Sequence, residues 1–203
     1  MAILMGRRHE ITDFETTGHA NVCKIFLELI KPDDKTFVWY QPRILDERDQ
    51  GHQPDFLIYA PWLGFLVIEV RDWAVLAFKS YTSQEIRLER NGITGVAANP
   101  MQVAKHVSMA VQSRIARWPG LRAYPCLILS EISRDDFIFH GLPAAFCGVR
   151  RILFADDFRP EGRLIKDRSG NKMKRLFSRM FQPMPVPLPL TPEALIEALK
   201  MEL

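Results

Sequence analysis

No apolar run in this chain approaches the roughly 20 residues that a membrane-spanning helix needs, and the common signatures of nucleotide and hydrolase chemistry are missing. Without a GxxxxGK[ST] loop the chain holds no P-loop ATPase, and neither GxSxG nor HExxH is present. Cysteine is scarce. Cys23, Cys126 and Cys147 are odd in number, far apart and without a CxxC pair, which suggests neither a disulfide framework nor a zinc site. The opening MAILMGRRHE puts its apolar residues before its arginines, the reverse of a secretory signal. A cytoplasmic, reducing compartment and no membrane association are the expectation.

What is present is an ordinary globular composition, 47% apolar and 25% charged over 203 residues, enough for one real core. The net charge of +3 is unevenly placed. Seven basic residues lie between Arg163 and Arg179 against Asp167 alone, a local +6 that leaves −3 for the remainder. Such a stretch suits a phosphate backbone, and equally a solvated loop and helix face. If it binds nucleic acid, Lys166, Arg168, Lys172, Lys174 and Arg175 are the candidates.

Periodicity predicts a helix from Val22 to Ile30, a strand over 36–40, and a polar loop over 43–54. FLIY (56–59) and FLVIEV (65–70) are continuously apolar, the mark of strands covered on both faces. Asn91-Gly92 suits a type I′ hairpin turn between EIRLER and ITGVA. A helix opens at Asn99-Pro100 and runs to about Trp118, and strands are expected at 124–132 and 149–155. PMPVPLPL (183–190) reads as a stiff spacer before a final short helix. The order of elements predicts an α/β fold with a central mixed β-sheet flanked by helices. A body over 1–160 is expected, then a tail over 161–203.

The hairpin around Trp62 carries the chemistry. Asp55 and Glu69 are each seven residues from Trp62, so a turn centred there sets them face to face, with Arg71 on the same face of its strand. Two opposed carboxylates repel, and a hard divalent cation reverses that sign. Alternatively these charges sit at strand ends and reach water.

Pro54-Asp55 and Glu69-Val70-Arg71 resemble the PD-(D/E)xK nuclease signature. With ANPMQVAKH downstream and VWYQPRI upstream, residues 20–155 are similar to the nuclease-related domain (NERD) family, in the version found at the N-terminus of superfamily-1 DNA helicases. The resemblance implies a restriction-endonuclease-like core and Mg2+ (or Mn2+) held by Asp55, Glu69 and the Val70 carbonyl. It implies catalytic roles for Asp55, Glu69, Arg71 and Gln102, and nucleic acid, foremost DNA, as substrate, with a helicase domain in cis or in trans as partner. Gln102 also fits a capping role with Asn99. Two departures stand out. The family normally has Lys where this chain has Arg71, and a guanidinium cannot accept a proton. Relatives commonly have a glutamate near Asn21. Both favour the alternative of a catalytically degenerate fold that binds nucleic acid or a partner without cutting. Trp73 is expected to pack, and His19, His52 and His106 to be surface or packing residues.

Overall fold

The structure, a computed structural model, describes residues 3–5, 17–29, 35–146, 150–158, 171–184 and 189–202. It runs β1 (Ile3–Met5), α1 (Thr17–Leu29), β2 (Phe37–Tyr40), β3 (Arg43–Leu45), β4 (Gly51–His52), β5 (Phe56–Ala60) and β6 (Gly64–Arg71). Then follow β7 (Phe78–Tyr81), β8 (Glu85–Arg90), β9 (Ile93–Ala98), α2 (Pro100–Arg114), β10 (Ala123–Leu129), α3 (Arg134–Phe139) and β11 (Ile152–Phe154). The C-terminal elements are α4 (Asn171–Met180), α5 (Pro192–Leu199) and β12 (Met201–Glu202).

Six strands form a mixed sheet in the order β1-β2-β5-β6-β10-β11. The β5–β6 hairpin is at its centre, antiparallel within itself, with β10 parallel to β6 on one side. This central position explains the continuous apolar runs: all five residues of β5 and seven of the eight in β6 are buried. Val22, Cys23 and Phe26 of α1 pack on one face, against Phe56, Ile58, Ile68 and Val70. Val107, Val111 and Ile115 cover the other, against Leu57, Tyr59, Phe65 and Val67. The architecture is mixed α/β, sheet between helices, compatible with the expected restriction-endonuclease-like core.

The hairpin turn needs its glycine. Gly64 has φ +100°, and a Cβ there would lie 2.4 Å from the Arg122 carbonyl oxygen. That close approach lets the Phe65 amide donate to the same oxygen at 2.8 Å and ties β6 to the start of β10. Asn91 and Gly92 both have positive φ, as the I′ turn requires.

Several expectations are corrected. α1 begins at Thr17, five residues before the apolar periodicity becomes visible, and α2 ends at Arg114 instead of near Trp118. The supposed loop over 43–54 contains β3 and β4, closed by Asp46, whose carboxylate accepts from the Arg48 and Gln50 amides. Nor does a spacer lead away to a free terminal helix. Met184, Leu195, Leu199 and Met201 are buried in the same cluster as Val107 and Tyr59, and β12 pairs with β3. Leu190 and Ile196 also pack against this cluster, and residues 185–188 of the proline-rich stretch lie outside the described residues. No helix among the described residues is long and apolar enough to cross a membrane.

Candidate active site

The hairpin register settles whether the two carboxylates meet. Ala60 pairs with Gly64 and Phe56 with Ile68, so one step further Asp55 stands opposite Glu69. Both are buried, Asp55 8% exposed and Glu69 2%. Continuous burial along both strands carries these acids out of water with the apolar residues beside them. The Asp55 carbonyl accepts from the Gln41 amide at 3.0 Å, which fixes the backbone just before β5.

Arg71 joins the pair. Its Nη1 donates to Asp55 Oδ2 at 2.9 Å and to the Val70 carbonyl, and its Nη2 donates to Glu69 Oε2 at 2.8 Å. The Val70 amide donates to Asp55 Oδ2 at 2.7 Å. One planar guanidinium therefore spans both acids, as its fork geometry permits and an ammonium would not. Glu69 Oε1 is left buried with no hydrogen-bond partner among the described residues. The guanidinium carbon lies 5.9 Å from the Trp73 ring centre, and Trp73 itself packs in the core, as expected.

His19 is the site residue that the sequence reading passed over. It is 3% exposed, and its Nε2 stands 3.4 Å from Asp55 Oδ2, with Tyr40 and Phe56 edge-on around the ring. A signal was present: residues 19, 22, 23 and 26 follow helical i, i+3, i+4, i+7 spacing, so the stripe on α1 extends one turn further back. Asn21, one of the two departures from the family pattern, is exposed. The start of α1 is fixed by Asp72, which accepts from the Gly18 amide at 3.2 Å and from Ser130 Oγ at 2.6 Å. A carboxylate at a helix N-terminus is favourable. A Cβ on residue 18 would fall 1.8 Å from Asp72 Oδ1, so glycine permits this approach. His52 is at another place, 3.1 Å from Asp46, and His106 is exposed.

The two acids titrate in opposite directions. Burial pushes Glu69 from an ordinary 4.5 to about 7, the Asp55 charge adds to the rise, and Arg71 opposes it. Burial also raises Asp55, but the contact with His19, the Arg71 charge and the Val70 amide outweigh it and bring its carboxyl below the usual value. Asp55 is thus the settled anion and Glu69 the group whose charge is in play near neutrality.

Gln102 sits in the first turn of α2, half-buried, and its side chain makes no hydrogen bond among the described residues. Asn99 caps that helix by accepting from the Met101 amide, and it holds the Ala145 carbonyl, so Gln102 is not needed for a reciprocal cap. Of the basic candidates, Lys166 and Arg168 fall outside the described residues, and α4 carries Lys172, Lys174 and Arg175. Lys174 is exposed with its Nζ 5.7 Å from the Trp62 ring. Trp62 marks the turn end of the hairpin, seven residues or about 20 Å of strand from the acids, so Lys174 does not join them. Among the described residues no three His, Cys, Asp or Glu side chains converge as a metal cluster.

The sequence model of the nuclease-related domain, NERD, matches residues 16–130, the span from the start of α1 to the end of β10 that holds every residue of this cluster. No curated protein and no solved structure matches the chain.

Proposed function

This chain belongs to the nuclease-related domain family, and from that premise we propose that it is a divalent-metal-dependent nuclease hydrolysing phosphodiester bonds, with DNA as substrate. The observation that carries the reading is the pair Asp55 and Glu69, opposed across the central hairpin with one buried carboxylate oxygen unsatisfied. An unpartnered buried oxygen costs stability, and a Mg2+ or Mn2+ ion is a fitting partner. Two carboxylates, with the Val70 carbonyl beside them, match the donor set that Mg2+ takes when water and phosphate complete its shell. A cation held there would polarise the scissile phosphate and acidify the attacking water.

The chain's own residues supply the remainder. Asp55, kept ionised by His19, Arg71 and the Val70 amide, offers a constant negative charge. Arg71 can neutralise a phosphate and stabilise its transition-state charge, but it takes no proton. Gln102, with a free side-chain amide, is available to orient water or a phosphate oxygen. The basic stretch of α4 adds backbone affinity that weakens with salt, and a helicase motor, in cis or in trans, is the partner in this proposal.

A second reading has its own support. Arg71 already pairs with both acids, as it would in a fold that binds nucleic acid without cutting it. Titrating Mg2+ and Mn2+ against supercoiled plasmid and circular single-stranded DNA separates the two, with Glu69→Ala as control. Metal-dependent cutting that the substitution abolishes supports the nuclease. Salt-sensitive binding without cutting refutes it in favour of the binding module.

A further inference from the structure

Three groups serve as cation ligands in the proposal above: the Asp55 and Glu69 carboxylates and the Val70 carbonyl. Arg71 donates to each of them. We propose that the Arg71 guanidinium is the resting occupant of the divalent-cation position, released by a nucleic-acid phosphate, so that metal and substrate backbone bind cooperatively. This inference rests on the reading of Asp55 and Glu69 as metal ligands.

The first support is electrostatic. Opposed carboxylates at 8% and 2% exposure repel, and Arg71 bridges them, with Nη1 2.9 Å from Asp55 Oδ2 and Nη2 2.8 Å from Glu69 Oε2. A divalent ion and this guanidinium compete for the same oxygens, and each weakens the other. The second support is incompleteness. The guanidinium takes Asp55 Oδ2 and Glu69 Oε2 but leaves Glu69 Oε1 buried with no hydrogen-bond partner among the described residues, so it does not fully satisfy that carboxylate.

The third is freedom to leave. The Arg71 side chain is 26% exposed, whereas those of Glu69 and Asp55 are 3% and 11% exposed. The arginine has a route to solvent that the acids lack. A phosphate oxyanion presents the same two-oxygen edge as a carboxylate and accepts the same bidentate fork. Turning outward to a phosphate would strip the acids of their countercharge at the moment the substrate arrives, which favours metal entry. By linkage the effect is reciprocal: metal that displaces Arg71 frees it for the backbone. A lysine here would neutralise the acids less completely, so the coupling is particular to arginine.

The test is Mn2+ binding, read from the spin-resonance signal of free Mn2+ rather than from cutting, on the full chain with and without a phosphorothioate DNA duplex. Arg71→Gln is expected to bind Mn2+ alone about tenfold or more tighter than wild type. The duplex should tighten Mn2+ binding by the wild type by a similar factor and leave the variant nearly unchanged. Should Arg71→Gln fail to fold, Arg71→Lys takes its place, with the same direction and a smaller gain expected. Equal Mn2+ affinity in wild type and variant, or equal tightening of both by the duplex, overturns the inference. If Glu69→Gln still abolishes Mn2+ binding in that case, the metal-ligand reading survives. Mn2+ binding that is absent throughout, or indifferent to Glu69→Gln, overturns both.

Discussion

Replacing Glu69 by Gln should stabilise the protein at pH 8 and do much less at pH 5, when no divalent metal is present. Glu69 is raised from 4.5 to about 7 by burial and by Asp55. A carboxyl with a raised folded pKa holds its proton in the native state over a range where the unfolded chain has lost it. Its contribution is therefore intact below about 4.5 and is lost as pH climbs to about 7. At 1.36 kcal/mol per unit the full swing is about 3 kcal/mol. Glutamine removes this ionisation while keeping an oxygen that can accept from Arg71 Nη2. For a chain of this length about 3 kcal/mol corresponds to a gain of roughly 6–12 °C in Tm. The assay is thermal and urea denaturation of wild type and Glu69→Gln in EDTA at several pH values between 5 and 8. Subtracting the two curves cancels the groups that do not interact with Glu69; Asp55, which does, has a lowered pKa and titrates at more acid pH, outside this window. A stability difference that does not change with pH, or a variant destabilised at pH 8, would refute the idea that Glu69 ionises against an opposing field.

Leu199→Ala should cost about 2–5 kcal/mol in urea denaturation, as for any buried leucine. A cost near zero would return the C-terminal helix to the status of an appendage, against its burial beside Val107 and Leu195. Gln102→Ala should lower cleavage by about tenfold or more with less than about 0.5 kcal/mol lost in stability, since its half-buried side chain makes no hydrogen bond among the described residues. Equal losses of activity and stability would make it a packing residue. Lys174→Ala should reduce the slope of log affinity against log salt by about 1 on long DNA and leave Mn2+ affinity untouched, because it lies at the turn end of the hairpin.

The parts of this structure that the sequence disclosed are those in which local chemistry dictates geometry. Pro61 and Gly64 fix a turn, apolar runs flank it, and the register follows by counting outward from Trp62. Asn91-Gly92 likewise contains its own turn. What stayed hidden depends on distant partners. The three residues of β3 have no pattern of their own, and they form a strand by pairing with β4 on one side and, on the other, with β12 from the far end of the chain. The prolines of 183–190 spoke for an extended spacer, yet nothing local reported that Leu195 and Leu199 would find Val107 and Tyr59.

The site divides in the same way, and the division bears on its chemistry. Spacing disclosed that Asp55 and Glu69 would oppose each other and that the pair would need a cation. It also put Arg71 on the same face of its strand, but did not disclose the contacts of its guanidinium with both acids, which depend on the side-chain rotamer. His19 was passed over although the helical spacing of 19, 22, 23 and 26 reaches it: the apolar stripe of α1 is conspicuous only from Val22 on, and the contact between Gly18 and Asp72 holds the start of the helix that brings the imidazole against Asp55. A buried acid pair that holds its own guanidinium, with one oxygen unfilled, is neither a finished metal site nor an inert salt bridge. An inert bridge would satisfy Glu69 Oε1 from within the fold, and a dedicated metal site would leave Val70 and both acids unoccupied by protein donors. Under the competition proposed above, whatever draws Arg71 outward would decide whether a metal can enter.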